Sequence, residues 1–180
     1  QLYMHLVDGF EQKGKPDSLY IALVSATSSL IISNASNKEC LQKLSTLATP
    51  LVQLFEALPS ESTKEEICQS LIEVAEQACQ SLRPVVAQLL QICVKIMNES
   101  NGLESDVRLS ALELSVTLIE SGKKAMIKKR ASHLIRPIIL RILGFMASIF
   151  DDPDWYTSCS NDKDDDDLDA IGEAALDRIA

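Results

Sequence analysis

A short apolar segment with proline at its third position occurs twice in this sequence, and a weaker copy precedes both. The two closest copies read L-R-P-V-V-A-Q-L-L at 82–90 and I-R-P-I-I-L-R-I-L at 135–143, and the weaker one reads A-T-P-L-V-Q-L-F at 48–55. A second pattern, S-L-I-E-V-A at 70–75, returns as S-A-L-E-L-S at 110–115. All of these segments have apolar residues at helical spacing, so the repeating unit is a pair of amphipathic helices of about 40 residues.

A pair of amphipathic helices of this length cannot bury its apolar faces alone, so neighbouring pairs must stack into one continuous core. We therefore predict an all-α fold, an α-solenoid of HEAT repeats with about four helix pairs in a right-handed superhelical stack. The first and last pairs are incomplete, which indicates a fragment of a longer array. The expected repeats in this single array cover approximately 1–34, 41–80, 82–121 and 131–180.

The composition agrees with a helical array. Hydrophobic residues make up 46% of the chain but aromatic residues only 4%, and glycine and proline number six each, so the core must be aliphatic and turns must be few. No apolar run is long enough to span a membrane, and the start, Q-L-Y-M-H-L, lacks the pattern of a signal peptide. The five cysteines are odd in number and form no C-x-x-C pair, which indicates reduced intracellular thiols that fill the core.

Helical periodicity and capping signals predict where the individual helices lie. Pro50 falls inside one strongly apolar pattern and predicts a kink or a new start near Thr49. Ser62 and Thr63, followed by glutamates, form a capping-box signal, and Gly122 suits a helix C-terminus. One predicted helix is capped by Asp17 or Ser18 and runs to about Ser33, and another follows L-R-P at 82–84 and runs to about Asn98. The other predicted helices are Leu41 to Leu58, Thr63 to Gln80, Ser105 or Asp106 to Glu120, Leu134 to Phe150 and Leu168 to Ala180.

The apolar stripes of these helices predict which side chains are buried. The residues expected in one continuous buried layer are Ile67, Leu71, Val74, Val107, Ala111, Leu114, Ile138, Ile139 and Ile142. The residues expected on the apolar face of the helix that ends at Ser33 are Leu19, Ile21, Ala22, Val24, Leu30 and Ile31. Because each residue lies on the stripe of its helix, the layer should run through neighbouring repeats without interruption.

The stretch from Asp151 to Asp169 concentrates the charge of the chain. It contains nine aspartates and one lysine, a net charge of −8, and the whole chain has −9, so the remaining residues together have −1. Like charges repel one another and Pro153 stops the preceding helix, so we predict a loop that projects from the array. Either the loop binds a basic partner with Trp155 as an anchor, or it is a solvated linker with Trp155 packed against the helix before it.

No residues in the sequence have the spacing of a catalytic or metal site. His5 and His133 lie in different repeats, and glycine-rich phosphate loops, G-x-S-x-G and C-x-x-C motifs are absent. The run from Asp164 to Asp167 lacks the spacing and the closing glutamate of a calcium loop. We therefore expect no enzymatic activity, no cofactor and no metal. The almost neutral body predicts no direct contact with nucleic acid, and the basic segment from Lys123 to Arg130 is interpreted as a solvated turn between repeats.

Several motifs resemble those of known helical-repeat proteins. D-V-R at 106–108, followed by apolar residues at helical spacing, resembles the opening of a HEAT second helix. An apolar helix, the D-D-P-D-W run at 151–155, the aspartate string and G-E-A-A-L-D-R at 172–178 together resemble the acidic-loop repeat of the importin-beta, or karyopherin-beta, family. Within this family the likeness is nearest to the importin five group, and it covers roughly 41–180.

This resemblance implies a nuclear transport receptor, a monomer that shuttles between cytoplasm and nucleus through the nuclear pore. The implied partners are the GTPase Ran, cargo proteins with nuclear-localisation segments, and Phe-Gly nucleoporins in grooves between first helices; no membrane is involved. The residues implied in Ran binding are Asp151, Asp152, Asp154, Trp155, Asp164, Asp165, Asp166 and Asp167. The residues implied to face cargo on a concave surface of second helices are Glu73, Glu76, Glu113 and Glu120.

Two alternatives stay open at the level of sequence. The array could instead be a HEAT scaffold subunit of a phosphatase or of a chromosome-organising assembly. The four glutamates could equally be an ordinary solvated helix face. A Ran-binding amino-terminal group of repeats elsewhere in the protein would favour the receptor, and a catalytic or coiled-coil neighbour would count against it.

Overall fold

The computed structural model describes residues 9, 16–58, 60–98, 105–122, 124–147 and 168–179. Within these residues every regular element is a helix, which confirms the predicted all-α class. The α-helices are α1 (Asp17–Ser33), α2 (Lys38–Leu44), α3 (Ala48–Ala57), α4 (Glu61–Ala78), α5 (Val86–Asn98), α6 (Ser105–Ser121), α7 (Lys124–Arg130), α8 (Ser132–Ala147) and α9 (Leu168–Ile179). A 3₁₀ segment at Ser45–Leu47 joins α2 to α3, and a second one at Cys79–Leu82 follows α4. No helix in the described ranges is long and apolar enough to cross a bilayer.

The helices form two layers in which each helix packs beside the next member of its own layer. One layer, called here the second-helix layer, consists of α1, α4, α6 and α9 in that order. The other, the first-helix layer, contains α3, α5 and α8 in that order. Helix α5 also packs against α6, and α8 against α9, so the two layers share one core. This sequential packing is the α-solenoid that the repeat predicts.

Two hydrogen bonds connect neighbouring helices of the second-helix layer. The Thr63 hydroxyl, near the start of α4, donates to Asp17 Oδ2 at the start of α1 over 3.0 Å. In the middle of the layer, Gln69 Nε2 of α4 donates to Ser110 Oγ of α6 over 3.4 Å. The first contact places the start of α4 beside the start of α1, and the second places the middle of α4 beside the first half of α6.

Proline explains where the helix predicted over 41–58 divides. The chain forms α2, then one 3₁₀ turn, and then α3, which begins at Ala48. Pro50 therefore lies in the first turn of α3, where backbone N–H groups have no intrahelical acceptor and a missing donor costs little. The predicted new start near Thr49 is confirmed. Pro137, by contrast, lies inside α8.

The buried layer follows the predicted stripes with one exception. The predicted core residues that are buried are Ile67, Leu71, Val74, Val107, Ala111, Leu114, Ile138 and Ile142. The buried stripe of α8 consists of Leu134, Ile138, Ile142 and Phe145. Ile139 lies about 100° around the helix from Ile138 and is only partly buried, so its prediction is wrong. Further round the same helix, Leu140 and Leu143 are exposed.

The N-cap residues of α1 and α4 differ from the predicted ones. Pro16, rather than either residue after it, occupies the N-cap position of α1, and its side chain forms no capping hydrogen bond. Ser60 caps α4 by accepting a hydrogen bond from the backbone N–H of Thr63 over 3.5 Å. The capping signal predicted two residues later is therefore wrong, because a serine hydroxyl was available closer to the end of α3.

Helix α1 also buries a different face from the predicted one. Its buried side chains are Tyr20, Val24, Thr27, Ser28 and Ile31. Of the predicted face, Val24 and Ile31 are buried, Ile21 and Leu30 are half-buried, and Leu19 and Ala22 are exposed. Apolar residues occur on several sides of α1, so their pattern alone does not say which side packs against α4.

The basic segment after α6 is helical, so the predicted turn is wrong. Residues Lys124–Arg130 form α7, whose Ile127 is buried and whose last three basic residues are exposed. Gly122 directly follows α6, as predicted. Because it has no side chain, Ile127 of α7 can lie close to the end of α6. A Cβ on Gly122 would lie 2.5 Å from the carbonyl oxygen of Leu118 and 2.9 Å from Ile127 Cδ1.

Three cysteines fill positions in the core, as predicted. Cys68, Cys79 and Cys93 are buried free thiols, and Cys40 is partly exposed. Burial raises the pKa of each buried thiol, and it raises the pKa of Cys93 to about 12 although a hydrogen bond with Ser115 acts in the opposite direction. These thiols therefore stay protonated and unreactive near neutral pH.

Candidate binding site on the second-helix layer

The four glutamates predicted to face cargo lie on the outer surface of the second-helix layer. Glu73 and Glu76 are exposed on α4. Glu120 is exposed on α6, and Glu113 is half-buried one turn from the position that contacts α4. Helices α4 and α6 are adjacent, and Gln69, one turn before Glu73, contacts Ser110, one turn before Glu113. We call the surface of these two helices that bears the four glutamates the acidic surface.

Arg178, near the end of α9, binds both glutamates of α6. Its Nη1 donates to Glu113 Oε1 and Oε2 over 2.7 and 2.9 Å. Its Nε donates to Glu120 Oε2 over 2.9 Å, and its Nη2 lies 2.8 Å from the same oxygen. The guanidinium therefore uses all three of its nitrogens on one face of α6, and we call this arrangement the Arg178 clamp.

Thr117 is part of the same arrangement. Arg178 Nη2 donates to the Thr117 hydroxyl over 3.2 Å, and that hydroxyl donates to Glu113 Oε1 over 3.0 Å. Glu113, Thr117 and Glu120 are spaced at i, i+4 and i+7, so one face of α6 presents all three to α9. Burial by itself would lower the pKa of Arg178, but hydrogen bonds and charge from the two glutamates raise it above its ordinary value.

The two glutamates of α4 differ from those of α6. Within the described residues, Glu73 and Glu76 form no salt bridge, and both are exposed. The acidic surface therefore has one part whose charge is balanced in part by Arg178 and another part whose charge faces solvent.

A groove of about 370 Å³ opens beside the clamp, between α4, α6 and α9. Its lining residues are Gln69, Leu109, Ser110, Leu112, Glu113, Ile171, Ala174, Ala175 and Arg178. Apolar side chains supply about half of these positions, and Gln69, Glu113 and Arg178 add polar and charged groups. Such a groove suits an aliphatic side chain that ends in a positive charge, as lysine and arginine do.

Sequence reasoning missed Arg178 as the partner of two of the glutamates. Arg178 ends the G-E-A-A-L-D-R motif, but it lies 65 positions from Glu113, so the pair forms only when α9 packs against α6. One signal was available in the sequence. The i+7 spacing of Glu113 and Glu120 puts two carboxylates on one helix face, where a cation would bind well.

The other predicted site residues lie outside the described residues. They are Asp151, Asp152, Asp154, Trp155, Asp164, Asp165, Asp166 and Asp167. His5 lies outside them too, and His133 is exposed on α8. In the part of the chain that the structure describes, metal-ligating side chains do not gather in groups of three or more.

Two protein-family models match the chain over consecutive ranges. The model described as IPO5-like, TPR repeats matches residues 5–92. The model described as importin repeat matches residues 100–180. The two ranges fall on either side of the connection between α5 and α6.

A solved structure, that of Kap121p bound to Nup53p, is similar to this chain. The TM-score is 0.55 and the sequence identity 20%, over 99% of this chain. The match covers 21% of the other chain, so this chain spans about a fifth of that protein's length. The likeness supports the α-solenoid fold independently of the internal repeat.

These findings point to the same kind of helical-repeat protein. Both family models describe importin-type helical repeats, and the solved structure has the same fold. They support a likeness of the chain to the importin-beta family.

Proposed function

We propose that this chain is a section of a nuclear transport receptor, nearest to the importin five group, that binds basic cargo on its second-helix layer. The observation that carries the proposal is an acidic surface on which a guanidinium is already bound, since Glu113 and Glu120 hold Arg178. Both matched models are importin models, which favours a receptor over a phosphatase or chromosome scaffold. In this role the chain binds partners and catalyses no reaction.

Cargo binding rests on charge and on the shape of the surface. Glu73 and Glu76 present exposed carboxylates without a salt bridge in the described residues. The neighbouring groove offers apolar side chains for the aliphatic part of a lysine or arginine. A nuclear-localisation segment, which is rich in such residues, is the partner that fits a surface built in this way.

Ran-GTP is the second proposed partner, and the acidic stretch is its proposed contact. The support is the charge of that stretch, −8 in a chain of −9. Such a field speeds the association of a basic partner, and salt screens it over about 8 Å at physiological ionic strength. The residues proposed for this contact are Asp151, Asp152, Asp154, Trp155, Asp164, Asp165, Asp166 and Asp167.

Phe-Gly nucleoporins are the third proposed partner. The similar solved structure is of Kap121p bound to Nup53p. In this chain, Leu140 and Leu143 of the first-helix layer are 56% and 44% exposed, and they offer apolar contacts on a different layer from the acidic surface. A monomeric receptor with these three partners would shuttle between cytoplasm and nucleus.

Binding of a lysine-rich peptide tests the cargo surface. Fluorescence anisotropy compares the unaltered chain with the variant Glu73→Gln/Glu76→Gln in low and in physiological salt. We expect roughly two- to tenfold weaker binding by the variant, and a smaller difference at the higher salt, because two exposed charges are lost. The control, Glu39→Gln/Glu56→Gln, removes the same charge from α2 and α3. Equal weakening by both variants would mean that only net charge matters, and would overturn the proposed surface.

A further inference from the structure

The groove and the Arg178 clamp belong to one small region of the second-helix layer. Glu113 and Arg178 both line the groove and bind each other. A side chain that entered the groove with its positive end toward α6 would meet the same carboxylates that Arg178 contacts. The region therefore has an internal occupant, and an external occupant of the same chemistry would compete with it.

The geometry of the clamp suits a guanidinium better than an ammonium. One nitrogen of Arg178 contacts both carboxylate oxygens of Glu113, and its other two nitrogens contact one oxygen of Glu120. A planar group with several fixed donors can contact two carboxylates and the Thr117 hydroxyl at once. A lysine ammonium is a compact point charge without this fork, so it cannot reproduce the arrangement.

The clamp is open to solvent, so it can break without disturbing the core. The side chains of Arg178, Glu113 and Glu120 are 35%, 45% and 50% exposed. Ion pairs with this exposure are held weakly because water and salt compete with them. Helix α9 has separate apolar contacts with the core, including the buried Ala175, which do not depend on the clamp.

We infer that Glu113, Thr117 and Glu120 form an arginine-binding site of the cargo surface, which Arg178 occupies as an internal competitor. Given the cargo-binding function proposed above, an arginine of the cargo segment takes the place of Arg178 on α6. Two consequences follow. The site prefers arginine to lysine, and the affinity for cargo is lower than it would be with the site vacant, because only a fraction of the molecules has the site free.

The substitution Arg178→Gln tests this inference, since it vacates the site. Two fluorescein-labelled peptides serve as probes, one of glycine alternating with arginine and one of glycine alternating with lysine. We expect Arg178→Gln to bind the arginine peptide roughly two- to fivefold more tightly than the unaltered chain, as fits an exposed ion-pair competitor. The gain for the lysine peptide should be smaller. The control Arg136→Gln removes the same charge from an exposed position of α8.

Two further variants show whether the gain arises at the site. In the Arg178→Gln background, Glu113→Gln/Glu120→Gln should abolish the gain for the arginine peptide. Arg178→Lys keeps the charge but loses the fork, so it should bind the arginine peptide with an affinity between those of the unaltered chain and Arg178→Gln. A gain that matches Arg136→Gln, survives loss of both glutamates or is equal for the two peptides would overturn the inference.

The same titrations separate this inference from the proposed function. If Glu73→Gln/Glu76→Gln and Arg178→Gln both bind the peptides as the unaltered chain does, the cargo surface fails and the inference fails with it. If the first variant binds more weakly while Arg178→Gln equals the unaltered chain, only the internal competition is refuted. Thermal melts of all variants identify any change that comes from loss of folding.

Discussion

The Thr63 hydroxyl donates a hydrogen bond to Asp17 Oδ2 over 3.0 Å, and so joins the first turns of α4 and α1. Thr63 is buried and Asp17 is half-buried, and they lie 46 positions apart in the chain. The contact aligns the starts of two neighbouring helices in the second-helix layer. Helix α4, which bears Glu73 and Glu76 of the acidic surface, is thereby held beside α1.

A double-mutant cycle tests this contact. Thr63→Val keeps the shape of the side chain but removes its donor, and Asp17→Ala removes the acceptor. We expect a coupling free energy of roughly 0.5–1.5 kcal/mol between the two changes, the usual net contribution of one hydrogen bond. Urea unfolding of the four proteins measures it. Free-energy losses that simply add would show that the two residues do not interact in solution.

Gly172 and Gly144 should respond oppositely to the same substitution. A Cβ on Gly172 would lie 2.5 Å from Met146 Cγ and 3.3 Å from the carbonyl oxygen of Ile142, so Gly172→Ala forces α9 away from α8. We expect it to destabilise the fold by roughly 1–3 kcal/mol. A Cβ on Gly144 meets no atom within 4 Å, so Gly144→Ala should stabilise α8 by about 0.5–1 kcal/mol. Melting temperatures that shift in the same direction would contradict the packing of α8 on α9.

The buried Cys93 predicts a loss of stability in alkali. Its pKa is about 12 in the folded chain against an ordinary value of 9.0. Between these pH values the unfolded chain releases a proton that the folded chain retains, so the free energy of unfolding falls as pH rises. Below the lower value the contribution is fully present. Cys93→Ala removes this term, so urea unfolding from about pH 8 to about pH 10.5 should show a shallower fall for the variant. Parallel curves would mean that the thiol is not buried.

Helical periodicity was enough to predict most of the core but not which faces pack together. Leu71 and Leu114 each lie on a clear apolar stripe, and both are fully buried. Ile139 and Leu19 are apolar and lie next to buried residues. Their exposure depends on where the next helix lies, and the sequence pattern of one helix does not show this. The start of α4 was misplaced for a similar reason, since several hydroxyl residues compete to cap it.

The local part of the candidate site could be predicted from the sequence, but the part that depends on packing between helices could not. The spacing of acidic residues on a helix face is local, so the two pairs of glutamates could be read from the sequence. The Arg178 clamp needs α9 to pack beside α6, and no local pattern states that Glu113 will be its partner. Charge counting identified the acidic stretch. Its residues 151–167 lie outside the described ones, and its contacts stay a prediction.

Substitutions in the aspartate string test whether the acidic stretch binds Ran-GTP. Replacing Asp164, Asp165, Asp166 and Asp167 with asparagine removes four charges from a stretch of net charge −8. The melting temperature of the chain should hardly change, because adjacent like charges repel one another and add little to stability. In the full-length receptor, we expect slower association with Ran-GTP, most clearly at low salt where screening is weakest. Equal association rates at every salt concentration would leave the stretch as a solvated linker.

The central claim is that basic cargo binds the second-helix layer, and site-specific photocrosslinking measures this directly. A benzoylphenylalanine in place of Gln69 lies in the groove of that layer, whereas the same residue in place of Gln53 or Gln91 lies on exposed positions of α3 and α5 in the other layer. The account predicts that a lysine-rich nuclear-localisation peptide crosslinks from position 69 and that excess unlabelled peptide prevents it. Crosslinking from positions 53 and 91 instead, with none from position 69, would contradict the account.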